Sequence, residues 1–166
     1  MGHISDRLGM LTARDVMTPN VIVVREDDSI ESAVAALKAH HISGAPVVDA
    51  QGKFTGLLSV SDIVDGLTQD NSDRPQVKLS HDHDTTTWPL FDRAKPEHIA
   101  SGNVSECMTR LIASVNPDAH LVDVARVMCD GHWHRVPVVD EDNALCGMIS
   151  TLDVLAALVN AADETA

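Results

Sequence analysis

Two short segments carry the residues best suited to chemistry, GLLSVSD at 56–62 and GMISTLD at 147–153. Each sets a glycine before a strand end, then a hydroxyl (Ser59, Ser150) and, three residues later, a carboxylate (Asp62, Asp153) near a helix start. A helix amino terminus offers unpaired N–H groups and a partial positive charge to a phosphate, and an aspartate can accept paired bonds from vicinal hydroxyls. That is recognition chemistry, not turnover. The same Ser-x-x-Asp spacing also suits a helix cap, in which hydroxyl and carboxylate exchange bonds with backbone N–H groups. Both roles can coexist in one segment.

A cation accompanies only one of the two segments. HWHRVPVVD places His134 and Arg135 before a β-branched run, whereas HISGAPVVD has Ser43 and Gly44 at the matching positions. Arginine supplies a permanent charge and several donors, and histidine adds a donor or, once protonated, a second charge. Phosphate recognition therefore favours the copy with His134 and Arg135. A surface ion pair in an acidic protein is the other role open to Arg135.

These segments sit in an internal repeat. At an offset of 91 residues, Met17-Thr18 matches Met108-Thr109, PVVD at 46–49 matches PVVD at 137–140, and Gly56, Ser59 and Asp62 match Gly147, Ser150 and Asp153. Shared order and spacing over such a length mark a duplicated structural unit. Each copy reads as strand, helix, strand, strand, helix. In the first, VIVV at 21–24 is a strand, and Asp28 and Glu31 have capping-box spacing. Ile30, Ala33, Val34, Leu37 and, at the end, His41 share a helix face. APVVD at 45–49 and FTGLLS at 54–59 are strands joined by the turn DAQG, and a helix begins at Ser61. The second copy repeats this as IASV at 112–115, a helix over 121–129, RVPVVD, ALCGMIS and a helix over 152–159. One unit alone leaves a sheet face and a helix stripe uncovered, which a twin can bury.

Composition narrows the function classes. Among 166 residues, 12 Lys and Arg stand against 25 Asp and Glu, a net charge of -13 that disfavours a nucleic-acid backbone or an anionic membrane as partner. An apolar fraction of 44% supports a packed core. Two Phe, two Trp and no Tyr leave little for aromatic recognition of peptides or single strands. Cys107, Cys129 and Cys146 form no close pair, and MGHISDRLGM lacks a signal-like apolar run, so a reduced, cytoplasmic protein is expected.

Residues 68–101 form a linker far longer than the usual roughly 4–6 residues. It is polar except at WPLF, where Trp88 and Phe91 can anchor it to a lobe or to a partner. His81, Asp82, His83 and Asp84 alternate too regularly to converge on a metal from an extended segment, so a solvated loop is expected and no metal site. His132, Trp133 and His134 lack an accompanying nucleophile, and Cys129 is expected on the inner face of its helix, so no enzyme activity is expected.

The paired Met-Thr openings, PVVD strands and Gly-x-x-Ser-x-x-Asp endings resemble CBS domains, small repeats first recognised in cystathionine β-synthase. The whole chain resembles a tandem CBS pair, or Bateman module, with repeats at 11–67 and 102–160. The resemblance implies an α/β fold of the α+β type: two β-α-β-β-α units about a pseudo-twofold axis, with two clefts between them and a homodimer as the assembly. In that family the terminal aspartate holds ribose, the hydroxyl ahead of it lies near phosphate, and HRVPV resembles the phosphate-contacting stretch of AMP- and ATP-binding pairs. The opening segment of one repeat works there with the ending of the other. Carried onto this sequence, one site comprises Thr18, Val21, Ile22, Val23, His134, Arg135, Val136, Pro137, Ser150 and Asp153. Val21, Ile22, Val23, Val136 and Pro137 are its apolar walls for adenine. A second, weaker site comprises Ser43, Gly44, Ser59, Ser61, Asp62, Thr109 and Ser114. The expected function is a regulatory adenine-nucleotide sensor that binds AMP, ADP or ATP and modulates a partner protein, with Mg2+ able to accompany ATP and no cofactor required. The alternative is a ligand-independent homodimerisation or interaction scaffold.

Overall fold

The computed structural model describes residues 8–68, 102–110 and 112–163. The aromatic anchor at Trp88 and Phe91 and the His81–Asp84 cluster lie outside the described residues. In chain order the elements are α1 (Ala13–Val16), β1 (Thr18–Pro19), β2 (Val24–Arg25), α2 (Ile30–Ala39), β3 (Gly44–Val48) and β4 (Phe54–Ser59). They continue as α3 (Val60–Thr68), α4 (Val104–Cys107), α5 (Leu121–Gly131), β5 (Arg135–Val139), β6 (Leu145–Ser150) and α6 (Thr151–Asp163). Among the described residues no helix is long and apolar enough to cross a membrane.

The chain divides into two units. The first gathers residues 8–21, 52–54 and 112–163, and the second gathers 22–51, 55–68 and 102–110. Each unit thus joins the body of one repeat to the opening segment of the other.

In the first unit the strands run in the order β1-β6-β5, with β6 antiparallel to both neighbours. Val136 and Val138 of β5 and Ile149 of β6 point to the face covered by α1 and α5, where Ala13, Val124 and Met128 complete a buried cluster. In the second unit the order is β2-β3-β4, with β2 parallel to β3. Ile30, Ala33, Val34 and Leu37, the expected face of α2, are all buried against Val24, Ala45, Val47, Leu58 and Ile63. Burial of each such large side chain stabilises the fold by about 1.5–3 kcal/mol.

Backbone hydrogen bonds stitch each opening segment into its host, and they repeat at the same offset. In the first unit Leu121 N donates to Leu11 O (2.8 Å), Ala13 N to Ala119 O (2.8 Å) and Arg14 N to Pro117 O (2.9 Å). In the second, Ile30 N donates to Gly102 O (3.0 Å), Val104 N to Asp28 O (2.9 Å) and Ser105 N to Glu26 O (3.0 Å). Short helices α1 and α4 then direct the Met-Thr pairs onto β6 and β4. The α1 turn is closed by Asp15, whose carboxylate accepts from Thr12 N and Thr12 Oγ1, both at 2.8 Å. These bonds hold the Asp15 carboxyl below the usual carboxylate range.

Several local expectations are corrected. Only Val24 of the VIVV run enters a strand; Ile22 and Val23 are exposed, because Asn20 turns the chain at φ +53° and pairing with β3 begins at Val24. IASV likewise contributes a single bridge, Val115 to Val138. The α2 cap is Ser29, whose Oγ accepts from Ser32 N at 3.1 Å, while Asp28 instead accepts from Arg25 N at 2.9 Å. The DAQG reversal forms as read, with Asp49 Oδ1 accepting from Gln51 N (2.8 Å) and Gly52 at φ +80°.

His41 lies beyond the end of α2, not on its face, in the left-handed region at φ +52°. His132 after α5 is its counterpart at φ +55°. A Cβ costs energy there, and glycine removes that cost while adding some unfolded-chain entropy, for a net gain of about 0.5–1 kcal/mol. His41→Gly is therefore expected to raise the thermal midpoint by about 1–4 °C. His132→Gly should gain less, since His132 Nδ1 also contacts Cys129 O at 2.9 Å. Paired calorimetric scans check the ranking.

Candidate functional site

Both Ser-x-x-Asp segments form reciprocal caps. At the start of α6, Asp153 Oδ2 accepts from Ser150 N (2.7 Å) and Ser150 Oγ (2.7 Å), and Asp153 N donates back to Ser150 Oγ (3.3 Å). At α3, Asp62 Oδ2 accepts from Ser59 N (2.8 Å) and Ser59 Oγ (2.6 Å), with Asp62 N donating to Ser59 Oγ at 3.2 Å. In each case one carboxylate oxygen is consumed in fixing the helix start.

The other oxygen separates the two copies. Asp62 Oδ1 accepts from Thr109 Oγ1 at 3.1 Å, whereas Asp153 Oδ1 takes no hydrogen bond among the described residues. Thr18, the counterpart of Thr109, is an exposed strand residue aligned with Met148 of β6. Ser59 Oγ is also 2.8 Å from Ser61 Oγ, and since the Ser59 proton goes to Asp62, Ser61 is the donor. Leu152, 74% exposed, stands in the place of Ser61 in the other copy.

Sheet register assembles the first unit's residues. Arg135 is directly opposite Ser150, Pro137 is opposite Met148, and Thr18 is opposite Met148 from the other side. Directly opposed residues share a face and alternate residues return to it, so Thr18, Arg135, Pro137 and Ser150 occupy one sheet face. Arg135 is exposed, and no carboxylate among the described residues pairs with it. The neighbouring His134 is exposed, and its carbonyl accepts from Thr151 N at 3.0 Å. Val136 takes the opposite face, fully buried in the core, which corrects its reading as an apolar wall. Pro137 is buried as well. Val21 belongs to the first unit, whereas Ile22 and Val23 belong to the second.

In the second unit, Gly44 lies against the end of β4. A Cβ at this position would approach Leu58 O at 2.9 Å and Ser59 Cα at 3.3 Å, so no side chain matching Arg135 fits without displacing backbone. Ser43 accepts through its carbonyl from Val60 N at 2.9 Å. Ser59, Ser61, Asp62 and Thr109 come together as a bonded cluster, while Ser114 belongs to the first unit. Burial pushes the thiol of the neighbouring Cys107 up, and the Asp62 charge adds to it.

Cys129 is exposed, contrary to the expected inward position, because Leu121, Val124 and Met128 form the buried face of α5 and Cys129 turns away from it. Among the described residues no group of His, Cys, Asp and Glu converges as a metal site. Thr109 and Asp62, assigned to one site from the sequence, are joined by a hydrogen bond that the sequence did not specify. Glycine at 44 against arginine at 135 shows a missing charge in the sequence, but not the steric exclusion at Gly44.

Comparison with known proteins places this geometry in a family. The CBS domain family matches residues 13–68 and 104–160. The chain is 29% identical over 157 residues to the uncharacterized protein MJ1426 of Methanocaldococcus jannaschii, covering 90% of this chain and 92% of that one. It is also 29% identical over 158 residues to the chloroplastic CBS domain-containing protein CBSX1 of Arabidopsis thaliana, covering 92% of this chain and 66% of the relative. Among solved structures, Arabidopsis CBSX2 in complex with AMP superposes with a TM-score of 0.66 at 25% identity, covering 90% of this chain and 96% of that one. With two matched segments, two small mixed units and CBS pairs as structural neighbours, the chain belongs to the CBS domain family as a tandem pair.

Proposed function

We propose that the chain is a regulatory module that binds an adenine nucleotide, AMP, ADP or ATP, in its first unit and transmits the bound state to a partner protein. The observation that carries this reading is Oδ1 of Asp153, which takes no hydrogen bond among the described residues, on a carboxylate fixed by its own cap, beside the sheet face that presents Thr18 and the exposed Arg135. A ribose hydroxyl pair needs such an acceptor, and a phosphate needs such a guanidinium. The local charge outweighs the acidic remainder because screening limits distant charges to a Debye length of about 8 Å. The AMP complex of CBSX2, at 25% identity, supports the same ligand class.

Calorimetric titration with AMP, ADP, ATP plus Mg2+ and adenosine tests the reading. Saturable AMP binding is expected. Arg135→Ala should weaken AMP about 10- to 100-fold, the value of a charge-assisted bond, and leave adenosine unchanged. Asp153→Ala should weaken both, with folding checked by circular dichroism because loss of the cap itself costs about 1 kcal/mol. Absence of saturable binding by all four compounds would remove the proposal.

A homodimerisation scaffold is the second reading, favoured by one observation. Helix α6 exposes Leu152 (74%), Leu155 (54%) and Val159 (57%) along one stripe. The two readings are compatible in one protein.

A further inference from the structure

The two Ser-x-x-Asp caps differ in one bond that decides whether a ligand can be received. In the second unit both oxygens of Asp62 are in use: Oδ2 by Ser59 and Oδ1 by Thr109 Oγ1 at 3.1 Å. Thr109 is held to β4 by paired backbone bonds with Leu57, Leu57 N to Thr109 O and Thr109 N to Leu57 O, both 2.9 Å. Close approach at Gly56, where a Cβ would come within 2.5 Å of Thr109 O, lets the two backbones meet. The hydroxyl is therefore presented to Asp62 by a fixed strand contact, not by a free side chain. We infer that Thr109 sets the specificity of the second unit by acting as an internal stand-in for a ligand hydroxyl, shutting the Asp62 site while the Asp153 site stays open.

This inference rests on the proposed nucleotide reading and extends it to the number and kind of sites. Asp62 Oδ1 keeps one acceptor position beside the Thr109 bond, so a vicinal pair of ligand hydroxyls can donate both hydrogens to Asp62 only by displacing that bond, a type of bond whose loss corresponds to about a 10- to 100-fold change in affinity. What the second unit could hold once opened is set by its charge. Gly44 carries no counterpart of Arg135 and has no room for one. Arg110, next to Thr109, is turned to Ser105 O (3.4 Å) and Glu26 Oε2 (3.8 Å). The ligand class is thus an uncharged diol of the nucleoside type, in contrast to the phosphate-bearing ligand of the first unit.

The test uses the full chain and adenosine as probe. Thr109→Val keeps the β-branched shape that suits the strand contact with Leu57 and removes the donor. Thr109→Ser retains the hydroxyl and controls for any change in shape. Each is combined with Asp153→Ala, so that remaining binding reports the second unit. Adenosine affinity in Thr109→Val/Asp153→Ala is expected to exceed that of Asp153→Ala about 10- to 100-fold, and Thr109→Ser/Asp153→Ala should behave like Asp153→Ala. In the otherwise natural chain, Thr109→Val should raise adenosine stoichiometry from one to two. Unchanged affinity and stoichiometry in folded Thr109→Val, with natural-chain binding intact, overturns the inference alone. Absence of adenosine and AMP binding in every variant and in the natural chain overturns the nucleotide reading together with it.

Discussion

Replacing Gly147 by alanine is expected to dislodge β1 and weaken nucleotide binding, although Gly147 is not itself a candidate ligand residue. A Cβ at this position would lie 2.6 Å from Thr18 O and 2.9 Å from Met17 Sδ. The methionine can swing aside, but the carbonyl is backbone in a strand that consists only of Thr18 and Pro19. The least costly response is for β1 to leave β6, which gives up the pairing of Thr18 with Met148 and of Pro19 with Gly147. Overpacking of this kind costs about 1–3 kcal/mol. In a chain of this size that is a fall of about 2–12 °C in thermal midpoint. Thr18 moves with β1, so AMP affinity should fall while Asp153 and its cap stay in place. Gly9→Ala is the control, since a Cβ there meets nothing within 4 Å. A Gly147→Ala protein with unaltered midpoint and AMP affinity would show that β1 does not depend on this close approach.

The parts legible in the sequence were those governed by short-range pattern. The buried face of α2 follows from helical spacing, and β3, β5 and the two Ser-x-x-Asp caps follow from runs that occur twice. The Asx turn at Asp49 and the left-handed Gly52 needed only local chemistry. VIVV misled because β-branched residues favour extended backbone whether or not a neighbouring strand is present, and only Val24 and Arg25 find one. The capping-box spacing of Asp28 and Glu31 misled by one residue, since Ser29 competes for the same role.

What lay beyond the sequence were differences created by contacts between distant segments. Thr18 and Thr109 are the same residue in the same motif, yet only Thr109 bonds its aspartate. Gly44 and Arg135 differ visibly in charge, but the closeness of Leu58 O to position 44 depends on how β3 meets β4. The fold is therefore readable from repetition, whereas the inequality of the two candidate sites rests on individual contacts of about hydrogen-bond length.

The second large effect is expected at α6. Leu152, Leu155 and Val159 are spaced i, i+3, i+7 on one helix face, over a length of about 10 Å, while Ala157 and Ala161 on the opposite side are buried. Leu158 widens the stripe. No charged residue interrupts it between Asp153 and Asp163. In a chain of net charge -13, a second copy meets repulsion over most of the surface, and an uncharged apolar face is where two copies can approach. A twofold contact through α6 would set each stripe against its twin. Sedimentation is then expected to give twice the 17.8 kDa mass of one chain. Leu155→Glu places carboxylates near the twofold axis, and like charges facing each other cost several kcal/mol, so the dissociation constant of the dimer should rise by about 100-fold or more. Because Leu155 is 54% exposed in the single chain, the fold should survive, and the thermal midpoint should lose its dependence on protein concentration. A natural chain that sediments at 17.8 kDa at every concentration, or a Leu155→Glu chain that stays dimeric, would exclude α6 as the contact between copies.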